Sequence, residues 1–187
     1  MSSKVYRYNS IIWVIISGRL VVCYMRAVIQ RAAQASVEVD GRVVSQIGRG
    51  MLVYLSVGKN DSDADAEFMA EKLINLRIFS DELGKMNRGI KDAGGDTKRS
   101  GEPRRAILLV SNFTLHGDCR KGRRPGFDGA AEPTVAERLY EKTIQLIAEK
   151  GVKVSKGVFG ANMQVSSIND GPVTFLLDSS LTREILP

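Results

Sequence analysis

One stretch of the sequence, SNFTLHGDCRKGRRP at residues 111–125, gathers most of the side chains that could do chemistry. It holds hydroxyls, the single histidine of the chain, His116, and one of the two cysteines, Cys119. A Ser–His or Cys–His nucleophile pair needs the imidazole within hydrogen-bond reach of the nucleophile. His116 follows Ser111 by five residues and precedes Cys119 by three, in a segment that leaves a predicted strand. This spacing gives little support to a nucleophile pair.

A zinc site has equally thin support. Zinc takes four ligands, or three and a water molecule, whereas His116 and Cys119 have only Asp118 beside them. The other cysteine, Cys23, is far away in the sequence and the chain has no CxxC spacing. Neither a metal cluster nor a disulfide framework is therefore indicated, and a reducing compartment is the default expectation.

The third interpretation of the stretch is a surface that holds RNA. A buried strand, ILLVSNFTL at 107–115, is predicted to end in the polar side chains of Ser111, Asn112 and Thr114. Hydroxyls and backbone amides beside cations can bind the sugar and phosphates of a polynucleotide end. The net charge of +6 agrees with a polyanionic partner. The adjacent cations are Arg120, Lys121, Arg123 and Arg124.

A single domain must position these residues, since 187 residues fit one domain with a substantial core. Residues 1–24 differ from the rest and are interpreted as an N-terminal extension, with the domain beginning at Met25. The apolar run at 11–24 is interrupted and shorter than the ~20 residues that a bilayer requires. It mimics a secretory signal only loosely, because no A-x-A cleavage site follows.

The first half of the domain is rich in predicted strands. The segments RAVIQR, ASVEV and RVVSQI are short and β-branched, with a hairpin turn predicted at Asp40–Gly41, and GMLVYLSV is a buried strand. A helix is predicted from about 63 to 76, with its N-cap among residues 61–63. The basic segment DAGGDTKRSGEPRRA at 92–106 is either a solvated loop or a second RNA contact.

The second half contains one more helix and further strands. A capping box of Thr134 and Glu137 predicts a helix that begins at Thr134 and stops before Gly151. The predicted strands are AILLVSNF, VKVS, MQVSSI and VTFLLD. The inner face of the helix is predicted to consist of Ala136, Leu139, Tyr140, Thr143 and Ile147.

Several motifs, in order, resemble one enzyme family. SNFTL at 111–115, GDCRKGRRPGF at 117–127, GVFGANMQV at 157–165 and NDGPVTFLLD at 169–178 look like the signature segments of the D-aminoacyl-tRNA deacylases, formerly called D-tyrosyl-tRNA deacylases. MRAVIQR at 25–31 and KLINLRIFSDELGKMN at 72–87 fit the same family. The resemblance covers residues 25–178 and leaves 179–187 as a C-terminal tail. It departs from the family at Asn112, where glutamine is usual, and in a longer stretch near 97–105.

The resemblance implies a fold and an activity. The fold is α+β, a compact single domain of curved, mainly antiparallel, barrel-like sheet with two main helices. The implied enzyme is a cytoplasmic homodimer that hydrolyses the ester joining a D-amino acid, or glycine, to the terminal adenosine of tRNA. It requires no metal and no cofactor, and the partner is tRNA rather than DNA or a membrane. The alternative from another class is a non-catalytic protein that binds tRNA ends or RNA.

The resemblance also implies roles for individual residues. Ser111, Phe113 and Thr114 form the catalytic end of the pocket, where fixed N–H donors stabilise an oxyanion and Thr114 has a positioning role. The bond Gly171–Pro172 is expected to be cis and to reach into the active site of the other subunit, where its carbonyls exclude an L side chain. The remaining substrate-binding residues are Asn112, Phe159, Met163, Arg120, Lys121, Arg123 and Arg124.

Overall fold

A central sheet of six strands organises the domain. The computed structural model describes residues 5–8, 11–14, 24–92, 105–120 and 122–179. The six strands are β3 (Arg26–Val39), β4 (Arg42–Ile47), β5 (Gly50–Ser56), β8 (Ala106–Ser111), β9 (Lys153–Lys156) and β10 (Gln164–Asp178). Their order is β10-β3-β5-β8-β9, and β4 pairs with β3 beside this path. Two small antiparallel pairs are separate sheets: β1 (Val5–Tyr8) with β2 (Ile11–Val14), and β6 (Phe79–Ser80) with β7 (Met86–Arg88).

The strand pairing changes from antiparallel to parallel at β5. Strand β3 is antiparallel to β10, β4 and β5, whereas β5, β8 and β9 run parallel to one another. Two α-helices lie within the described residues, α1 (Asp63–Asn75) and α2 (Pro133–Glu149). The expected fold, an α+β domain with a mainly antiparallel, barrel-like sheet and two main helices, is confirmed. Because β5 and β8 are parallel, their carboxyl ends lie at the same edge of the sheet.

Both faces of the sheet are covered by apolar side chains. Met51, Val53 and Leu55 of β5 belong to the larger core cluster, which includes buried residues of both helices. Leu52 belongs to a second cluster on the other face, and Tyr54 packs against it. This alternation follows from the two-residue period of a strand. It explains why GMLVYLSV is almost continuously apolar.

The predicted turn and first helix are confirmed. Asp40 and Gly41 have φ of 50° and 75°, the left-handed region that tight hairpin turns require. Helix α1 has Ser62 as N-cap, and Asp65 completes a capping box. No helix within the described ranges is long and apolar enough to cross a bilayer.

The predicted start of the second helix was wrong. Thr134 is not the N-cap, because α2 begins one residue earlier, at Pro133, and its N-cap is Glu132. Proline is favoured in the first helical turn, where its missing N–H costs nothing and its fixed φ suits a helix. This preference outweighs the capping box of Thr134 and Glu137. The predicted inner face is otherwise confirmed, with Ala136 partly buried and Leu139, Tyr140, Thr143 and Ile147 buried.

Two pairs of predicted strands are single long strands. RAVIQR and ASVEV merge into β3, and MQVSSI and VTFLLD merge into β10. Within β10, the pairing with β3 is interrupted between Asn169 and Thr174. The residues between them, 170–173, therefore leave the regular ladder as a bulge, and they include the Gly–Pro pair.

Candidate active site

A cavity of about 740 Å³ lies at the carboxyl ends of β5 and β8. Its wall includes six of the residues expected to be catalytic or substrate-binding: Ser111, Asn112, Phe113, Thr114, Phe159 and Met163. Because β5 and β8 are parallel, the residues that follow them lie side by side at one edge of the sheet, where ligands commonly bind in parallel sheets. Sequence reasoning did not assign to this cavity the side chains of Tyr54, Ser56, Phe127, Glu132, Tyr140 and Asn162.

The strand that leads into the cavity is shorter than expected. ILLVSNFTL was predicted to continue to residue 115, but β8 ends at Ser111 and a 3-10 turn follows at Phe113–His116. Asn112 causes the break, because its Oδ1 accepts hydrogen bonds from Thr114 N at 3.2 Å and from Thr114 Oγ1 at 2.5 Å. Asparagine favours such turns by bonding to the backbone two residues on. We call residues 113–116 the site turn.

The amide hydrogens of the site turn differ in their partners. Thr114 N donates to the side chain of Asn112, and Leu115 N donates to the Asn112 carbonyl at 3.3 Å. Within the described part of the chain, Phe113 N–H has no acceptor. Phe113 is 57% exposed as a residue, and its ring packs edge-on against Phe127 with 5.0 Å between ring centroids. Phe113 is therefore not a core residue, and its N–H remains available at the cavity wall.

Aromatic and sulfur-containing side chains form another part of the wall. Phe159 lies 6.0 Å from the ring of Tyr140, whose Oη donates to the Leu109 carbonyl at 2.8 Å. Burial raises the pKa of Tyr140 well above its usual range, so the phenol stays protonated. A Cβ at Gly157 would lie 2.6 Å from Met163 Sδ, so this glycine leaves room for the methionine.

His116 has partners that the sequence did not suggest. Its Nδ1 lies 2.5 Å from Ser56 Oγ and its Nε2 lies 2.8 Å from the Tyr24 carbonyl oxygen. Desolvation lowers the pKa of His116, and the nearby Arg26 guanidinium lowers it further. The Tyr24 carbonyl and Asp178 oppose these effects. A neutral ring donates a hydrogen bond from Nε2 to the Tyr24 carbonyl, which leaves Nδ1 to accept a hydrogen bond from the Ser56 hydroxyl.

The Gly171–Pro172 pair lies in the bulge of β10, away from the wall of the cavity. The peptide bond is cis, as expected from the resemblance. Asn169 closes the bulge, since its Oδ1 accepts from Val173 N at 2.9 Å and its Nδ2 donates to Val173 O at 3.1 Å. Arg31 donates to the Asp170 carbonyl at 2.8 Å from the neighbouring strand. A Cβ at Gly171 would lie 2.0 Å from Val173 N, so this position requires glycine.

The basic residues after the site turn lie on the surface. Arg120 forms a bidentate pair with Asp118, with distances of 2.8 and 2.6 Å. Arg123 and Arg124 are exposed. Lys121 and most of the basic loop at 92–106 lie outside the described residues. Of the four predicted cations, Arg120 thus already has a carboxylate partner, whereas Arg123 and Arg124 face solvent.

The described ranges contain no cluster of three His, Cys, Asp or Glu side chains that could hold a metal ion. Cys119 is exposed and carries a free thiol. His116, the other residue considered as a zinc ligand, has Ser56 and a backbone carbonyl as its ring partners. The residues that line the cavity carry hydroxyl, amide, aromatic and thioether groups and, at Glu132, a carboxylate.

Comparison with known proteins assigns the chain to a family. The family model described as D-Tyr-tRNA(Tyr) deacylase matches residues 28–178. The D-aminoacyl-tRNA deacylase of Thermosipho africanus is 52% identical over 83% of this chain and 97% of that protein. The D-aminoacyl-tRNA deacylase of Roseiflexus castenholzii is 51% identical over 86% of this chain and 96% of that protein.

Solved structures share the fold. A structure titled c-Myc DNA Unwinding Element Binding Protein superposes with a TM-score of 0.70 and 38% identity, covering 81% of this chain and 97% of that chain. A probable eukaryotic D-amino acid tRNA deacylase has a TM-score of 0.66 at 19% identity, covering 82% of this chain and 98% of that chain, and so supports the fold alone. With the family model and the curated relatives matching most of its length, the chain belongs to the D-aminoacyl-tRNA deacylase family of hydrolases.

Proposed function

We propose that this deacylase hydrolyses the ester between a D-amino acid and the terminal adenosine of tRNA in the cavity at the ends of β5 and β8. The observation that carries the proposal concerns Phe113, a residue of the cavity wall whose N–H has no acceptor within the described residues. A fixed donor of this kind stabilises the charge that develops on the carbonyl oxygen in the tetrahedral transition state. The site turn holds this donor in place before the substrate arrives.

The reaction needs little acid–base machinery. An aminoacyl ester is already activated, so fixing its carbonyl beside a water molecule supplies much of the acceleration. Thr114 Oγ1 is hydrogen-bonded to Asn112 Oδ1, which is a neutral amide oxygen and a weak base. We therefore assign Thr114 to positioning rather than to nucleophilic attack, and Ser111 to the polar wall beside it.

The terminal adenosine is proposed to occupy the aromatic part of the cavity. Phe159 and Met163 both line this part, and a base can stack on an aromatic ring or pack against a thioether. The volume of about 740 Å³ lies within the range of ordinary ligand pockets. The aminoacyl ester would then lie toward Ser111 and Phe113.

Stereochemical selection is proposed to come from Gly171 and Pro172 of a second subunit. In one chain this pair does not belong to the wall that includes residues 111–114. The edge strand β10 leaves large apolar side chains open, with Leu176 76% exposed and Ile168 54% exposed. Burial of such side chains favours association, and a homodimer could bring the bulge to the partner's cavity. Backbone carbonyls there would exclude an L side chain, while a D side chain or glycine would fit.

The tRNA is proposed to contact the exposed cations Arg123 and Arg124, with Arg120 and Lys121 beside them. Each phosphate contact releases counterions, so affinity for tRNA should fall with salt. A cytoplasmic location follows from this substrate. We also propose that DNA is not a partner of this protein. An excess of duplex DNA should then leave the deacylation rate unchanged.

Deacylation of labelled D-tyrosyl-tRNA at substoichiometric protein tests the proposal. We expect multiple turnovers, persistence of L-tyrosyl-tRNA and loss of glycine from glycyl-tRNA. Decay of D-tyrosyl-tRNA at the buffer rate over a wide range of protein would instead favour a non-catalytic RNA-binding protein. Thr114→Val separates the roles of the hydroxyl: a nucleophile would lose at least ~10³-fold in rate, whereas a positioning group should lose about 10-fold or less.

Two further variants address the proposed dimer and the tRNA contacts. Leu176→Asp should produce a monomer in sedimentation and lose activity, with the exposed substitution Leu83→Asp as the control. An active monomer would contradict selection by the partner's Gly171–Pro172 pair. Arg123→Ala with Arg124→Ala should raise KM and flatten its salt dependence, and an unchanged slope would remove both residues from the tRNA contact.

A further inference from the structure

We infer that Ser56 and His116 act as a positioning pair that fixes the site turn and, with it, the direction of the Phe113 N–H. This inference rests on the proposed role of that N–H in deacylation. The two side chains come together from residues 60 positions apart, at 2.5 Å between Ser56 Oγ and His116 Nδ1. Ser56 is only 2% exposed, so its hydroxyl has little access to water as an alternative partner.

The carboxyl end of β5 holds both ends of the site turn. The Leu55 carbonyl accepts a hydrogen bond from Asn112 N at 2.9 Å, immediately before the turn. The next residue, Ser56, meets His116 at the last position of the turn. Two successive residues of one strand therefore fix the entry and the exit of the turn. Phe113 lies between these two points, so the direction of its N–H depends on the position of the strand.

The exit of the turn is also tied to the strands beside β5. His116 Nε2 lies 2.8 Å from the Tyr24 carbonyl, just before β3. Arg26 Nη1 donates to the Leu115 carbonyl at 3.0 Å, and the same guanidinium is held by Asp178 at the end of β10. His116 thus bridges β5 and the segment that leads into β3, while Arg26 adds a third link. Removal of the imidazole would break two of these connections at once.

The neutral imidazole pairs with both partners and also accepts the hydrogen bond that the buried Ser56 hydroxyl donates. A protonated ring would donate from Nδ1, and the buried Ser56 hydroxyl would then have to direct its own proton elsewhere. The charged groups facing the ring are Arg26 on β3 and Asp178 on β10. Asp61, from the segment after β5, interacts in turn with Asp178. Acid should therefore loosen the site turn through His116 and reduce the fraction of molecules with a competent Phe113 N–H.

Steady-state kinetics of the full chain on D-tyrosyl-tRNA test the pair. Ser56→Ala and His116→Ala should each lower kcat by about 5- to 10-fold and change KM by less than about twofold, since two hydrogen bonds control alignment rather than tRNA affinity. The double variant should fall no further than either single variant, because the two side chains act as one unit. Ser45→Ala on β4, outside the cavity, is the matched control and should leave kcat unchanged.

The pH profile provides a readout that a purely structural role would not change. The wild type should lose kcat in acid, on the acid side of the usual histidine pKa, because burial lowers the pKa of His116. His116→Gln keeps a donor for the Tyr24 carbonyl but cannot titrate, so that acid step should disappear while kcat near neutral pH stays within about threefold of wild type. An identical profile in this variant, or an unchanged kcat in folded Ser56→Ala and His116→Ala, would overturn the inference.

Hydrogen-exchange rates of backbone amides test the positioning pair independently of the deacylase activity. The Leu115 and Gly117 amides donate to the Asn112 and Thr114 carbonyls, across the site turn. In Ser56→Ala their exchange should speed up by about 10-fold relative to Ser45→Ala, whether or not the protein deacylates D-tyrosyl-tRNA. Inactive wild type with this faster exchange would refute only the proposed function. Unchanged exchange in a folded Ser56→Ala would refute the positioning pair.

Discussion

Replacement of Asp61 by asparagine should stabilise the protein at alkaline pH. Asp61 follows β5 and its Oδ2 accepts a hydrogen bond from Gly58 N at 2.5 Å. Desolvation raises its pKa from 3.8 to about 7, and the nearby carboxylates of Asp65 and Asp178 add to this effect. Asparagine resembles the protonated acid and can still accept from Gly58, but it carries no charge into this site.

The sign and size of the effect follow from linkage. Between about pH 4 and pH 7 the folded state holds a proton that the unfolded state has lost, so stability falls as the pH rises through this window. At ~1.4 kcal/mol per pKa unit the full shift corresponds to about 4 kcal/mol. Because Asp61 is only partly buried, water screens part of the charge, and we expect a gain of about 2 kcal/mol for Asp61→Asn.

Urea unfolding at several pH values and one protein concentration measures this prediction. The difference in unfolding free energy between Asp61→Asn and wild type should be near zero at about pH 4 and reach its full value at about pH 8. Asp63→Asn is the control for the change in net charge, since Asp63 is exposed and its pKa is lowered by Arg138. That variant should lose rather than gain stability. A pH-independent difference for Asp61→Asn would refute the reasoning.

Three other predictions concern the sheet, the cavity wall and the surface. Gly50→Ala should destabilise the domain by more than about 3 kcal/mol in urea, because its Cβ would lie 1.9 Å from a backbone oxygen of β8. Tyr140→Phe should cost about 1 kcal/mol by the same assay, since it removes a buried hydrogen bond of 2.8 Å. Arg123→Ala with Arg124→Ala should lower the slope of log affinity for tRNA against log salt by about 2.

A specific result would contradict each of these three predictions. Gly48→Ala is the control for Gly50, since nothing lies within 4 Å of its Cβ, and equal stability of the two variants would exclude the proposed clash. Unchanged stability of Tyr140→Phe would mean that the second donor to the same carbonyl, Gly157 N at 2.9 Å, is sufficient alone. An unchanged salt slope would place the tRNA phosphates elsewhere.

The sequence predicted helices and turns correctly where only one local residue preference acted. The apolar period and the Ser62 cap located α1, and Asp40–Gly41 located its hairpin. Where two local preferences competed, the prediction was wrong, as at the start of α2, where proline in the first turn outweighed the capping box. The strand ending at Ser111 was predicted too long because β-branched and aromatic residues continue past it, whereas the side chain of Asn112 turns the backbone.

The candidate site was predictable only in part. The motif around Ser111–Thr114 and the segments with Phe159 and Met163 pointed to one pocket, and the structure brings them together. The pair of Ser56 and His116 could not be found from spacing, because its members lie 60 residues apart and meet only through the pairing of β5 with β8. Sequence reasoning compared His116 with nearby Ser111 and Cys119, whereas its partner is set by the sheet.

The parallel pairing of β5 with β8 has a consequence for the order of folding. Strand β3 pairs with β4 and then with β5 in one antiparallel hairpin, whereas the first β5–β8 pair, Gly50 with Ala106, closes a loop of more than fifty residues. Loop closure of this length costs entropy before any contact is gained, and such pairings form late. The cavity at the ends of β5 and β8 is therefore expected to form after the β3–β4–β5 unit. Because closure entropy grows only slowly with length, the segment between β5 and β8 can lengthen at little cost and without displacing the cavity.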